Sequence, residues 1–239
     1  MLLETRARRP AAIAEAAAAR RRPPAPVDDD GRAMIIAADH TARGILGAGQ
    51  RAEAMADRGE LLDRIQLALS RPGVTGVMAS PDILEDAATP ATLEACARAV
   101  SDLAARGLVA MVEPFMAGSV EGRVRPILLP DAAIRASVVA AALGTTSAYT
   151  WLKVPVVHDM ERVIAATTLP TLLLGGEVAR DQAATFERWG AALRVPGAIG
   201  LVVGRSLLFP PDDDVAAAVD TAVGLIPRPD RASVAASGS

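Results

Sequence analysis

Short apolar runs alternate with longer amphipathic stretches along this chain. The runs at 34–38, 74–78, 108–112, 149–154, 171–174 and 199–203 read as strands, and Met34-Ile35-Ile36-Ala37-Ala38 is the plainest of them. Between the first two, Leu61, Leu62, Ile65 and Leu69 recur at helical spacing, which predicts a helix over 51–70, stopped by Arg71-Pro72-Gly73. Thr89-Pro90 reads as an N-cap followed by proline at the first helical position, opening a helix that ends at Gly107. Further helices are predicted over 131–143, 158–166, 181–192 and 215–225, and 118–125 reads as a polar loop. At the start, 10–20 reads as a helix followed by a Pro/Asp linker. At the end, 228–239 is rich in Ser, Ala and Arg and is expected to be disordered. The expected division is an N-terminal helix and linker over 1–32, one domain over 33–226 and a tail over 227–239.

Strand then helix, repeated at roughly thirty-residue spacing, argues for βα units and a parallel sheet. Polar residues gather after the strands: Asp39-His40, Glu113, Lys153, Gly175-Gly176 and Gly204-Arg205. Both a (β/α)₈ barrel and an open doubly wound sheet carry their sites there. The open sheet usually has a glycine-rich fingerprint after its first strand, and here that strand ends in Asp39-His40, which favours the barrel. Only six strands are legible, so the expectation is an α/β fold of TIM type, shortened or incomplete. If strands have been overlooked, 82–88 and 120–129 are the places for them.

Composition narrows the partners. The 239 residues are 51% hydrophobic but only 3% aromatic, so Ala, Val, Leu and Ile must build the core. Net charge is −3 and no basic patch interleaved with aromatics occurs, so no nucleic-acid partner is expected. No apolar run is long enough for a bilayer, and no membrane partner is expected. Glu4 and Glu15 interrupt the basic N-terminus, which does not read as a secretory signal. Cys96 is the single cysteine and reads as a small core residue; with no disulfide to form, a cytoplasmic location is expected. His40 and His158 are too few for a metal site without carboxylate help, so neither metal nor cofactor is expected. His158 reads as a helix-start residue.

The chemistry centres on Lys153. Of the 25 lysine and arginine residues, only position 153 is lysine. Arginine cannot act as an amine nucleophile, whereas lysine can lose its proton and attack a carbonyl. Strand alternation sets Tyr149, Trp151 and Lys153 on one face, with Trp151 as a pocket wall. Chance survival of one lysine in an arginine-rich chain is the bland alternative. Glu113 and Asp39 are candidate proton-transfer groups, against the alternative of ion pairs with arginines. Gly175, Gly176 and Gly204 would let backbone approach a phosphate, with charge from Arg205; the alternative is tight turns alone. His40 is a candidate substrate contact.

Ala38-Asp39-His40, Val112-Glu113-Pro114, Trp151-Leu152-Lys153, Leu174-Gly175-Gly176 and Val203-Gly204-Arg205 occur in the order in which they occur in one family. Over residues 33–226 the chain resembles the class I (Schiff-base) aldolases of bacterial barrel type, the tagatose-bisphosphate, fructose-bisphosphate and deoxyribose-phosphate aldolases. The resemblance implies that Lys153 forms the imine, Glu113 transfers protons, Asp39 binds a hydroxyl or acts as acid/base, and the two glycine motifs cradle phosphate. It implies a lyase acting on a phosphorylated keto sugar. Six strands leave two edges exposed, which invite pairing with another chain, so a homo-oligomer is expected. In the family two further βα units stand between the strands at 74–78 and 108–112, often with a second lysine; here 81–107 holds room for one helix and its loop. The alternative function is a non-catalytic or impaired barrel that binds a sugar phosphate or self-associates.

Overall fold

The computed structural model describes residues 8–9, 11–19, 26–38, 40–43, 45–78, 89–120 and 123–227. Asp39, the 82–88 stretch and the tail from 228 lie outside the described residues. The elements in order are helix α1 (Ala12–Ala19), strand β1 (Ala33–Ala37), a 3-10 turn (His40–Arg43), α2 (Arg58–Leu69), β2 (Gly76–Met78), α3 (Thr89–Ala104), β3 (Ala110–Val112), β4 (Ala117–Val120) and β5 (Arg123–Pro126). Then follow α4 (Pro130–Ala141), β6 (Thr150–Pro155), α5 (Met160–Ala165), β7 (Thr171–Leu174), α6 (Gln182–Leu193), β8 (Ala198–Val203), α7 (Arg205–Leu208) and α8 (Val215–Leu225).

Six strands form one parallel sheet in the order β2-β1-β8-β7-β6-β3. They are the six legible in the sequence. The fold is α/β, a curled partial barrel of TIM type. β2 and β3 are the edges, and they flank the interval that is too short for two further βα units. Among the described residues each pairs on one side only.

Two apolar layers explain why the strands read as near-continuous hydrophobic runs. One face of the sheet packs Ala33, Ile35, Ala37, Leu172 and Val202 with Met111, Trp151 and Ile199. The other face packs Met34, Ile36, Leu152, Val154, Leu173, Leu201 and Val203 against the helices, with Leu61, Trp189 and Val219 among their contributions. Alternation assigns each residue to its layer along β1 and β6. In β8 the phase slips. Thr171 pairs with Ala198 but Leu172 pairs with Gly200, so Ile199 is the extra residue of a bulge.

Several boundaries differ from expectation. The loop expected at 118–125 is an antiparallel hairpin, β4 paired with β5, outside the main sheet. It falls partly in the 120–129 stretch held open for an overlooked strand, yet adds nothing to the ring. The helix expected from 51 starts at Arg58, because the Asp57 side chain accepts the Glu60 N–H and caps it there. The helix expected from His158 starts at Met160, after Asp159 in a left-handed conformation (φ 59°). Tyr149 lies before β6 and is exposed, so it does not continue the Trp151–Lys153 face. No helix was expected at Arg205–Leu208. It is anchored from outside: Arg64 donates to the Leu208 carbonyl at 2.9 Å and its guanidinium lies 4.7 Å from the Phe209 ring centre. The Arg64 and Arg51 guanidinium groups hold the Glu60 carboxyl below its ordinary value.

Candidate active site

Lys153 is the fourth residue of β6, close to its C-terminal end, and is 4% exposed. Burying an ammonium without a partner is costly, so a partner is required. The strand register supplies one. Met111 pairs with Trp151 and Val112 with Leu152, which brings Glu113 beside Lys153 one step on. Lys153 Nζ donates to Glu113 Oε2 at 2.8 Å. The Glu113 side chain keeps 26% of its exposure and that of Lys153 keeps 5%. A buried amine beside a half-open carboxylate can act as a nucleophile with a proton carrier in contact.

The surroundings are apolar. Trp151 and Met111 lie one residue pair down the sheet on the same face. On the other side Lys153 pairs with Leu172 of β7, which is fully buried. Sequence reasoning did not single out Met111 or Leu172. Their period-two spacing in the strands is a signal shared by every core residue, so nothing marked them as site residues.

The glycine motifs stand at the ends of the next two strands. A Cβ at Gly175 would lie 2.5 Å from Val203 Cγ1, so this strand end approaches β8 too closely for any side chain. Gly176 has φ +71° with open space where a Cβ would point. Gly204 caps the short helix α7, and a Cβ there would overlap the Ala37 carbonyl oxygen and lie 2.5 Å from His40 Cε1. Thus His40 and Gly204 are neighbours. Arg205 Nη1 donates to the Gly47 carbonyl at 3.4 Å, which ties α7 to the loop after β1. The structure therefore joins Lys153 to Glu113, sets Trp151 next to them, and groups Gly204 with His40 and Arg205 at the same end of the sheet. His158 is exposed ahead of α5.

A cavity of about 290 Å³, lined by Ser147 and Thr167 among others, opens where the chain enters β6 and β7, away from Lys153. Among the described residues no group of three or more His, Cys, Asp or Glu side chains is arranged for a metal ion. No described helix is long and apolar enough to cross a membrane.

The structure is similar to the crystal structure of Cgl0159 from Corynebacterium glutamicum, at 42% identity and a TM-score of 0.87, over 94% of this chain and 95% of that one. It is also similar to the Schiff base-forming fructose-1,6-bisphosphate aldolase, at 17% identity and a TM-score of 0.61, over 84% of this chain and 96% of that one. An archaeal fructose-1,6-bisphosphate aldolase with its catalytic lysine bound to the carbinolamine intermediate gives 16% identity, a TM-score of 0.63 and coverage of 84% and 96%. These two aldolases share the fold. No curated protein sequence matches the chain. The family match comes in two segments, 31–89 and 84–223, which meet in the interval between β2 and β3. Over these segments the sequence is that of the Cgl0159-like family, and the chain belongs to it.

Proposed function

We propose that this protein is a class I aldolase, cleaving or forming a carbon–carbon bond in a phosphorylated keto sugar through a Schiff base on Lys153. The observation that carries the reading is the 2.8 Å contact between the buried amine of the sole lysine and Glu113, at the C-terminal end of the strands. Lys153 attacks the ketone and water leaves. The iminium then draws electrons from the neighbouring carbon–carbon bond. Glu113 takes the proton from the hydroxyl on the carbon that leaves as an aldehyde, and Asp39 assists as a hydroxyl-binding or acid/base carboxylate. Gly175, Gly176, Gly204, Arg205 and His40 hold the phosphate, and Trp151 walls the pocket. No cofactor is required by this chemistry.

The test is borohydride trapping. With dihydroxyacetone phosphate and borohydride, the peptide containing Lys153 is expected to gain the mass of the reduced adduct; the N-terminal amine is the one other primary amine in the chain. An adduct confined to Met1 would remove the proposal. Glu113→Gln is expected to keep trapping measurable while turnover falls by roughly 10²–10⁴-fold, the usual scale of general acid–base catalysis. Unchanged turnover in that variant would reassign the proton carrier.

One observation favours the second reading, a barrel that self-associates: both sheet edges are free among the described residues. Unpaired edges invite another chain. The free sides of β2 and β3 complement each other as two halves of a parallel ladder, so the partner is a second copy. Thr75 N–H bonds to the Met34 carbonyl, and alternation then turns the Gly76 N–H to the free side. A Cβ at Gly76 meets nothing within 4 Å. Gly76→Lys is therefore expected to abolish concentration-dependent association in sedimentation velocity without unfolding the chain. Persistent association in this variant would exclude the β2 edge.

A further inference from the structure

The sequence leaves α7 without backbone donors for its own carbonyls. The residues four on from Ser206 and Leu207 are Pro210 and Pro211. Neither proline has an N–H to give. The Phe209 N–H is already engaged with the Arg205 carbonyl at 2.9 Å. Ser206 is 3% exposed, so water is a poor substitute, and a buried carbonyl needs a partner. Side chains from other elements fill the gap. Gln182 Nε2 donates to the Ser206 carbonyl at 3.0 Å, and Arg64 Nη1 donates to that of Leu208.

Gln182 is itself fixed. It is the first residue of α6, and the Asp181 side chain caps that helix by accepting the Ala184 N–H at 2.9 Å. The chain from β7 to α6 is therefore anchored at both ends. At its start the Gly175 N–H bonds to the Val202 carbonyl at 3.3 Å, and Gly175 lies against Val203. At its end Gln182 reaches α7. The bonds of Arg205 to Gly47 and of Arg64 to Leu208 tie α7 to the loop after β1 and to α2. The Gln182 bond is the one of the three that comes from the β7 side.

We propose that Gln182 is a positioning residue for the phosphate end of the substrate: its amide joins the glycine turn after β7 to the one after β8, so that both meet one phosphate together. This rests on the Schiff-base reading above and on its phosphate cradle. Two turns on different strands hold one anion only if their separation is fixed to within about 0.5 Å. Without the Gln182 bond the Ser206 carbonyl is unpaired, and α7 shifts to find another donor. Gly204 and Arg205, the residues just before Ser206, move with it. Gln182 has no part in the imine step. Lys153 takes its place from β6 and from the pairing of that strand with β3 and β7.

The experiment uses the full chain, as the parent and as Gln182→Met, which keeps the length of the side chain and removes the donor. Imine formation on Lys153 is followed by borohydride trapping, with dihydroxyacetone phosphate and with unphosphorylated dihydroxyacetone. In the variant the dihydroxyacetone phosphate concentration for half-maximal trapping is expected to rise about tenfold, the scale of one hydrogen bond to a charged group. The maximal rate is expected to stay within about twofold, as when binding alone is weakened, and dihydroxyacetone is expected to behave alike in both proteins. A glutamine that only supports the fold would weaken both ketones equally and lower Tm; that result would overturn the inference, as would unchanged half-saturation by dihydroxyacetone phosphate. In both cases the parent's adduct on Lys153 leaves the Schiff-base reading intact. A parent protein that gives no adduct on Lys153 with dihydroxyacetone phosphate would overturn both.

Discussion

Lys153→Arg is expected to lower aldol turnover by roughly 10⁴-fold or more, the scale on which loss of a covalent nucleophile acts. The same variant is expected to lose the borohydride adduct. The substitution keeps the positive charge, and a guanidinium can still pair with Glu113, so the ion pair across β3 and β6 persists. What it removes is an amine that can shed its proton and attack carbon. The comparison separates two roles for the residue. If Lys153 served only to pair Glu113 or to join two strands, arginine would serve nearly as well and turnover would survive. A thermal melt on the same preparation checks that the larger side chain is accommodated: Lys153 is 4% exposed, and overpacking would appear there as a lowered Tm. An arginine variant that melts with the parent and retains activity would end the covalent mechanism.

The strands were legible because most are buried on both faces. β1, β6, β7 and β8 present apolar residues to both layers, and such runs survive any uncertainty about phase. The start of α2 was legible in principle and was misread. Residues 52–56 are alanine-rich and look helical, but Asp57 followed three residues later by Glu60 has the acceptor-and-acid spacing of a helix start. The β4–β5 hairpin was hidden because its strands are four residues each, and the alternation of Val124 and Pro126 with Arg123 and Arg125 is too short a pattern to stand out. For the site, alternation along 109–113 and 151–153 oriented both side chains correctly. Their contact depended on the β3–β6 register, which is a long-range property that neither strand encodes alone. For Arg205 the position after a strand end could not show its bond to the Gly47 carbonyl, which is another long-range contact.

Gly200→Ala is expected to be the most damaging single methyl in the sheet. Gly200 lies at the β8 bulge, opposite Ala33 of β1. A Cβ there would overlap the Ala33 carbonyl oxygen and lie 2.7 Å from its carbon and 2.9 Å from its nitrogen. The obstruction is backbone, so no side-chain rotation relieves it. Either β1 and β8 separate, breaking the central ladder, or the bulge is expelled and the phase of β8 reverts. The second route would exchange the layers occupied by Val202 and by Leu201 and Val203, all of them at most 1% exposed, turning each toward the wrong core. Overpacking alone costs about 1–3 kcal/mol, and backbone displacement in a buried sheet puts this case at about 3 kcal/mol or above. For a domain of this size that lowers Tm by roughly 6–12 °C. Gly76→Ala is the control: its Cβ meets nothing within 4 Å, and its melt is expected to stay near that of the parent. Equal melts for the two alanine variants would show that the β1–β8 approach is looser than this geometry requires. A selective loss in Gly200→Ala, with turnover falling alongside stability, would tie the bulge to the site, because β8 carries Gly204 on its end and supplies the Val203 side chain that closes on Gly175.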